Sequence, residues 1–222
     1  MITMKNTTPM SKRGRPRLFD RAQALQQALE LFWIHGYEGT SIAELVEALG
    51  IAPPSLYAAF GSKEQLFLEV LQLYLAGPGS FVSRALAEEP SGQGFVRRVL
   101  LEAARAFSSD DHPRGCLIST CLLVSASAHQ QLASEVAALR SSIHGALTQR
   151  LCQAQTLGEL PASSKPVELA RFYAAIIQGM SVQARDGADE AALSAIAEQA
   201  LCLWPRAPDL YQGTGDAPRA TR

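Results

Sequence analysis

Apolar residues recur at helical spacing along most of the chain, and no segment shows the strict apolar–polar alternation of a strand. The first pattern predicts a helix over residues 20–35 that Gly36 ends. A second helix opens at Ser41, because a hydroxyl residue followed three positions later by Glu44 is typical of a capping box. A third, short helix is predicted over residues 53–60, since proline is tolerated in the first helical turn.

Longer amphipathic patterns occupy the rest of the chain. Ser62 is placed to cap a helix that runs to a break at Gly77. The tail after Pro205 is rich in proline, glycine, aspartate and threonine, and we expect it to fray. These patterns predict an all-α protein. The later helices are predicted near residues 94–107, 116–126, 131–155, 166–185 and 188–204.

The charge balance excludes a protein that coats nucleic acid through bulk charge. The 222 residues include 20 lysines and arginines against 21 aspartates and glutamates, so the net charge is −1. Any contact with nucleic acid therefore needs a local basic cluster. One such cluster is the run KRGRPR over residues 12–17.

Catalytic, metal and membrane signatures are not recognisable in the sequence. There is no nucleophile–base set, no phosphate loop and no clustered metal ligands, and the four cysteines form no C-x-x-C pair. Neither a secretory signal nor a bilayer-spanning segment stands out. The sequence thus predicts a cytoplasmic protein with reduced thiols that is not an enzyme, needs no cofactor, binds no metal and contacts no membrane.

The three predicted N-terminal helices suit a helix-turn-helix. Only Gly50-Ile51-Ala52 separate the second helix from the third. Helices joined by so short a turn cross steeply, which leaves the third helix free to enter a major groove.

Five short sequence motifs in this segment resemble those of the TetR/AcrR family of transcriptional regulators. They are ALELF at 28–32, GYEGTSIA at 36–43, LGI at 49–51, SLY at 55–57 and FGSKE at 60–64. The resemblance implies a homodimer that binds an approximately palindromic double-stranded DNA operator and acts as a repressor relieved by a small molecule. It implies a three-helix DNA-binding domain (18–62) and a larger helical effector-binding and dimerisation domain (63–205). The basic run places an arm before them (1–17), and the composition of the last residues places a frayed tail after them (206–222).

The third helix carries the predicted base-reading face. Tyr57 can place its ring and hydroxyl against the DNA backbone or thymine methyls, and Ser55 is short enough to let the helix sit deep. Ala58 offers only a methyl group, so shape and methyl contacts gain weight. Ala52 lacks a capping side chain, at a cost of about 1 kcal/mol, while Pro53-Pro54 stiffen the turn. The alternative is that the Tyr57 side chain only packs within the protein and does not contact DNA.

Phosphate contacts are predicted on both sides of that helix. Thr40 and Ser41 place hydroxyls and free N–H groups at a helix start, a ready anion site. Lys63 follows the third helix and can neutralise a phosphate. Arg15 and Arg17 in the arm suit a narrow minor groove, although a solvated tail is the alternative.

The segment HPRGCL at 112–117 is similar to a branch of the family that includes the ComR and NemR regulators. That similarity implies either a cysteine that senses electrophiles or oxidants, or a link to copper. Cys116 at a helix start, near Arg114 and His112, suits a reactive thiolate. Inert packing is the alternative, and a metal site with His112 has too few ligands, because Cys121 does not share a face with Cys116.

An organic effector in an apolar cavity remains the other option, with walls that include Gln178, Met180 and Gln183. Cys152 and Cys202 are expected in the core, and His129 and His144 at the surface or as satisfied polar groups. The family resemblance implies that the last two long helices pair in the dimer. The predicted interface residues are Ile177, Leu193, Ile196, Ala200 and Trp204.

Two other functions are weighed against the regulator. One is a thiol-based redox protein that uses Cys116, and the other is a helical adaptor that has lost DNA binding. Ala52, Ala58 and Ala59 favour the adaptor. Tyr57, Lys63 and the basic arm favour the regulator.

Overall fold

The computed structural model describes residues 20–205, where it contains ten α-helices and no β-strand. The all-α prediction is therefore confirmed. The predicted arm (1–17) and the predicted frayed tail (206–222) lie outside the described residues. The helices are α1 Arg21–Gly39, α2 Ile42–Leu49, α3 Pro53–Phe60, α4 Lys63–Ala76, α5 Phe81–Glu88, α6 Gly92–Ser108, α7 Leu117–Thr120, α8 Gln130–Thr156, α9 Pro166–Arg185 and α10 Glu190–Cys202.

Helices α1 to α3 form a small N-terminal unit against the first half of α4. The Asp20 carboxylate caps α1 by accepting from the N–H groups of the second and third helical residues. Gly36 adopts φ +72°, so the predicted break falls there, although one further turn follows it. The ring of Phe32 meets that of Phe67 edge-on at 5.0 Å, which fixes α1 to α4.

The larger C-terminal unit is built around α6. This helix lies against α5, α8, α9 and α10, and α4 reaches from the first unit into the second through Tyr74 and Leu75. Arg150 of α8 is buried, and its guanidinium donates to the carbonyls of Leu86, Glu89 and Pro90, which holds the turn between α5 and α6. Since carbonyls near the end of α5 carry partial negative charge, a buried cation is favourable there.

The predicted helix over 116–126 is wrong beyond its first turn. Only Leu117–Thr120 is helical, and Leu122 adopts φ +51°. Arg140 of α8 donates to the carbonyls of Ile118 and Cys121, at 3.2 and 3.1 Å, so these groups need no helical partner. The periodicity of the segment cannot reveal bonds to a helix about twenty residues away.

No single helix within residues 20–205 combines the length and apolarity needed to cross a membrane. Helix α4 and the segment Pro78–Glu88 meet that criterion only as a pair, bent by 55°.

Candidate DNA-binding surface and effector cavity

The turn between α2 and α3 begins at Gly50. This glycine adopts the left-handed conformation (φ +63°, ψ 32°), and the N–H groups of Gly50 and Ile51 bond back to carbonyls of α2. The Ser41–Glu44 capping box is present at the other end of α2, as predicted. Local chemistry thus sets both ends of the helix that supports α3.

Helix α3 begins without a side-chain cap, and its own residues explain why none is needed. Pro53 and Pro54 carry no N–H, and the Ser55 N–H bonds the Ala52 carbonyl at 2.9 Å. The donors that a serine or threonine cap would satisfy are therefore absent or already bonded. The stability cost predicted for Ala52 is largely removed.

The outward face of α3 consists of short side chains around one aromatic ring. Leu56 and Phe60 are buried and attach the opposite face to the core. Tyr57 keeps 47% of its surface exposed, so packing within the subunit does not bury its side chain. The exposed residues of this face are Pro53, Pro54, Ser55, Tyr57 and Ala58.

Arg21, which no sequence pattern indicated, holds the end of α3 in place. Its guanidinium lies 4.7 Å from the centroid of the Phe60 ring, and its Nε donates to the Ala59 carbonyl at 3.3 Å. Its Nη2 pairs with Glu69 of α4 at 2.7 Å. No local signal identifies this role, because the bonded residues are 38 and 48 positions away.

The anion site predicted at Thr40 and Ser41 is not open. Thr40 is fully buried, and its hydroxyl donates to the Gly36 carbonyl at 2.7 Å. The Ser41 N–H donates to the Glu44 carboxylate at 2.6 Å, and this bond is the main reason that the pKa of Glu44 is lowered. The Ser41 N–H and the Thr40 hydroxyl, which were expected to be free for a phosphate, are therefore bonded within the subunit.

Lys63 lies against the molecule rather than free in solvent. Its Nζ is 4.2 Å from the centroid of the Tyr37 ring, and desolvation lowers its pKa despite the nearby carboxylates of Glu38 and Glu44. The cation–π contact therefore holds the lysine against Tyr37 at the end of α1. The other predicted cations, Arg15 and Arg17, lie outside the described residues.

An apolar cavity of about 240 Å³ opens in the C-terminal unit between α4, α5, α8 and α9. Phe81, Val82 and Ile177 supply part of its wall. Cys116 supplies a sulfur, and Tyr74 is one of three hydroxyl residues that line it, with Ser83 and Ser142. A pocket of this composition suits a small, mainly apolar molecule.

The surroundings of Cys116 differ from the prediction. Arg114 donates to Asp110 and to the Gly187 carbonyl, and the His112 ring stacks on Trp33 at 4.6 Å. The group bonded to the Cys116 sulfur is instead the Tyr74 hydroxyl, at 3.2 Å, and burial raises the Tyr74 pKa well above its usual value. Tyr74, hidden among apolar residues of α4, gave no sequence signal for this contact.

The other cysteines and the predicted cavity residues are distributed differently. Cys121 is buried outside the cavity lining, and desolvation raises its pKa to about 12. Met180 is buried but does not line the cavity. Gln178 and Gln183 are exposed, so their predicted place in the cavity wall is wrong, and the prediction of buried Cys152 and Cys202 is wrong because both are exposed.

Two sets of contacts join the cavity-bearing unit to α1. In the first, the Trp33 Nε1 donates to the Gly115 carbonyl at 3.2 Å, and Arg185 donates to the Trp33 and Ile34 carbonyls at 3.0 and 2.7 Å. In the second, the Glu38 carboxylate accepts from His129 at 2.9 Å, which is the main reason that the Glu38 pKa is lowered. His129 therefore has a specific partner.

The predicted dimer residues lie mostly inside the subunit. Ile177, Leu193, Ala200 and Trp204 are buried there, with at most 6% of their surface exposed. Ile196 and Ala200 line an apolar groove of about 550 Å³ between α9 and α10, and Ile196 is partly exposed there. The outward apolar side chains of this groove are Phe172, Ile176, Ile196 and Leu203.

Within residues 20–205, no three histidine, cysteine, aspartate or glutamate side chains are grouped to hold a metal ion. His112 bonds the Pro113 carbonyl and packs on Trp33, so it is not directed at Cys116 as a second ligand.

A short exposed helix on a three-helix unit, coupled to a cavity-bearing helical unit, defines a helix-turn-helix regulator. The chain matches the model of the TetR family of bacterial regulatory proteins over residues 24–70 and that of the tetracyclin repressor-like C-terminal domain over residues 94–200. It belongs to the TetR family.

Individual relatives match over most of their length. The HTH-type transcriptional repressor ComR of Escherichia coli K12 is 40% identical over 207 residues, which are 92% of this chain and 98% of ComR. The repressor BdcR of the same organism is 35% identical over 78% of this chain and 83% of its own. A cysteine mutant of the regulator CifR, solved with 26-bp operator DNA, superposes with a TM-score of 0.81 at 42% identity and covers 86% of this chain and 100% of its own.

Proposed function

We propose that the protein is a cytoplasmic dimeric repressor whose α3 enters the major groove of an operator, and that an effector in the cavity beside Cys116 releases it. The observation that carries the proposal is the outward face of α3, where Tyr57 is exposed on a helix backed by Leu56 and Phe60. A helix fixed on one side and open on the other meets the requirement for groove entry. The repressor names of ComR and BdcR favour repression over activation.

The dimer is proposed to form through the groove between α9 and α10. Phe172, Ile176 and Ile196 offer an apolar face that a second copy of the same helices can cover. A twofold dimer presents two α3 helices to successive major grooves, roughly 34 Å apart. The buried residues Leu193 and Trp204 then support this face from behind.

We propose that the displacement caused by the effector is transmitted from the cavity to α1 through Gly115. The cavity wall includes Cys116 and Ile118, and the neighbouring Gly115 carbonyl holds the Trp33 side chain of α1. An effector that displaces residues 115–118 shifts α1, and with it the spacing of the two α3 helices. Binding then weakens operator affinity by as much as the effector prefers the released arrangement.

We expect Tyr57→Ala to lower affinity for the operator about tenfold, the loss of one good contact with DNA. Gel shift with DNA from upstream of the protein's own gene measures this effect. Because tyrosine is uncharged, the slope of log affinity against log salt should not change. The matched control is Leu157→Ala, which removes an exposed side chain from the end of α8. Equal affinity of Tyr57→Ala and the wild type would contradict the proposed role of α3.

We expect a small quinone to release the wild type from DNA and Cys116→Ser to respond at least about tenfold more slowly, because the thiol is the better nucleophile. The thiol adds to the quinone, a sulfur–carbon bond forms, and its proton ends on the reduced ring as a hydroquinone. Release is followed by gel shift, and the adduct by mass spectrometry of the intact protein.

The control for this experiment is the double variant Cys152→Ser/Cys202→Ser. Both cysteines are exposed and will also react, so their adducts must be separated from release. Cys121 is held protonated by its raised pKa of about 12. If Cys116→Ser releases DNA as fast as the double variant does, the effector does not act through this thiol.

A further inference from the structure

A second cleft, of about 380 Å³, lies between α8 and α9 and differs in chemistry from the apolar cavity. Five of its eight lining residues are polar or charged, and the other three are alanines whose small side chains leave the space open. The polar residues are Arg140, Ser141, His144, Arg171 and Gln178. No aspartate or glutamate is among the residues that line it.

The two arginines of this cleft pair with no acidic side chain in the part of the chain that the structure describes. Of the ten arginines in residues 20–205, six pair with a carboxylate, and Arg140, Arg150 and Arg185 bond carbonyl groups. Arg171 does neither within that part of the chain. Arg140 uses only its Nη1 for the carbonyls of Ile118 and Cys121, which leaves its Nη2 and Nε for another acceptor.

A buried imidazole nitrogen adds a third unsatisfied group. His144 Nε2 is enclosed, and no described residue offers it a hydrogen-bond partner. His144 therefore contributes to the lining as an imidazole whose Nε2 is bonded to no described residue, and no acidic side chain neutralises this part of the lining. His144, Ser141 and Gln178 can all donate, as the two guanidinium groups do.

We propose that this cleft binds a small oxyanion, the carboxylate or phosphate group of a metabolite. Two guanidinium groups with no carboxylate partner among the described residues, together with the donors of Ser141 and Gln178, match the acceptor-only chemistry of such a group. The lining holds no carboxylate that would repel it. The class of ligand follows from the donors alone and does not depend on the proposed operator binding.

The cleft is separate from both sites already described. It shares no lining residue with the apolar cavity or with the groove between α9 and α10. At about 100° per residue, Arg171 and Gln178 lie roughly 100° to 120° around α9 from Phe172 of the groove. Arg171 and Gln178 therefore lie on a different side of α9 from Phe172.

Arg140 links the cleft to the rest of the molecule. The same guanidinium that lines it holds the Ile118 and Cys121 carbonyls, and Ile118 is part of the apolar cavity wall. An anion that draws on Arg140 competes with those bonds. A ligand in the cleft can thus displace residues 115–118, the segment that contacts α1, in addition to a ligand in the apolar cavity.

The test is calorimetric titration of the full chain with inorganic phosphate and, separately, with succinate, at ionic strength held constant with sodium chloride. Arg171→Gln removes one charged donor from an exposed position, and Arg105→Gln is the matched control, an exposed arginine whose 3.5 Å pair with Glu190 lies elsewhere. We expect saturable binding to the wild type and to Arg105→Gln, weakened about tenfold in Arg171→Gln.

Binding of phosphate alone identifies a phosphorylated ligand, and binding of succinate alone identifies a carboxylate. The proposal is overturned if neither probe binds saturably, or if Arg171→Gln binds both as tightly as Arg105→Gln does. Since no DNA is present, failure of the repressor proposal would leave this result unchanged.

Discussion

Gly115→Ala is expected to lower the free energy of unfolding by about 3 kcal/mol, combining backbone strain with overpacking. Gly115 adopts φ +81°, and a Cβ there would lie 2.7 Å from both the Ser181 carbonyl oxygen and Arg185 Cγ. The carbonyl belongs to the backbone of α9 and cannot turn away as a side chain can. The Gly115 carbonyl also accepts a hydrogen bond from the Trp33 Nε1, so a shift of Gly115 disturbs the contact with α1.

The matched control is Gly187→Ala. Gly187 adopts φ +104°, but nothing lies within 4 Å of the Cβ that alanine would add, so only backbone strain remains. We expect this control to cost about 1 to 2 kcal/mol. Denaturant unfolding monitored by circular dichroism measures both variants, with the midpoint and the slope fitted separately. Equal losses in the two variants would mean that Gly115 can move away from α9.

Local signals predicted the DNA-binding unit well because its elements are set by their nearest neighbours. The Ser41–Glu44 box and Gly50 act within three or four residues, and Leu56 and Phe60 repeat at helical spacing. The same locality made Thr40 misleading. A hydroxyl before a helix is a typical cap or anion ligand, yet this one turns inward to Gly36.

The candidate effector sites depend on contacts that no local pattern contains. Cys116 has Tyr74 as its partner, 42 residues away, rather than the cations beside it in sequence. Gln178 lines the second cleft, the one between α8 and α9, because these two helices lie alongside each other. A helical stripe indicates which residues are apolar, but not whether its partner is in the same subunit, which explains why Leu193 and Trp204 were assigned to the dimer.

Ile196→Glu is expected to weaken dimerisation at least about 100-fold, because a carboxylate buried in an apolar interface without a partner costs several kcal/mol. Ile196 lies in the groove between α9 and α10 beside Phe172 and Leu203, whose rings and methyl groups offer nothing to bond a charge. Sedimentation velocity over a range of concentrations measures the association. Loss of the dimer should also remove binding to a two-half-site operator, since one α3 alone contacts only one half-site.

Leu157→Glu separates this effect from the general result of placing a charge on the surface. Leu157 has 64% of its surface exposed at the end of α8, and it does not line the groove. We expect this control to sediment as the wild type does and to bind the operator with unchanged affinity. If Ile196→Glu matches the control in both measurements, the copies do not associate through α9 and α10, and the apolar groove must have another occupant.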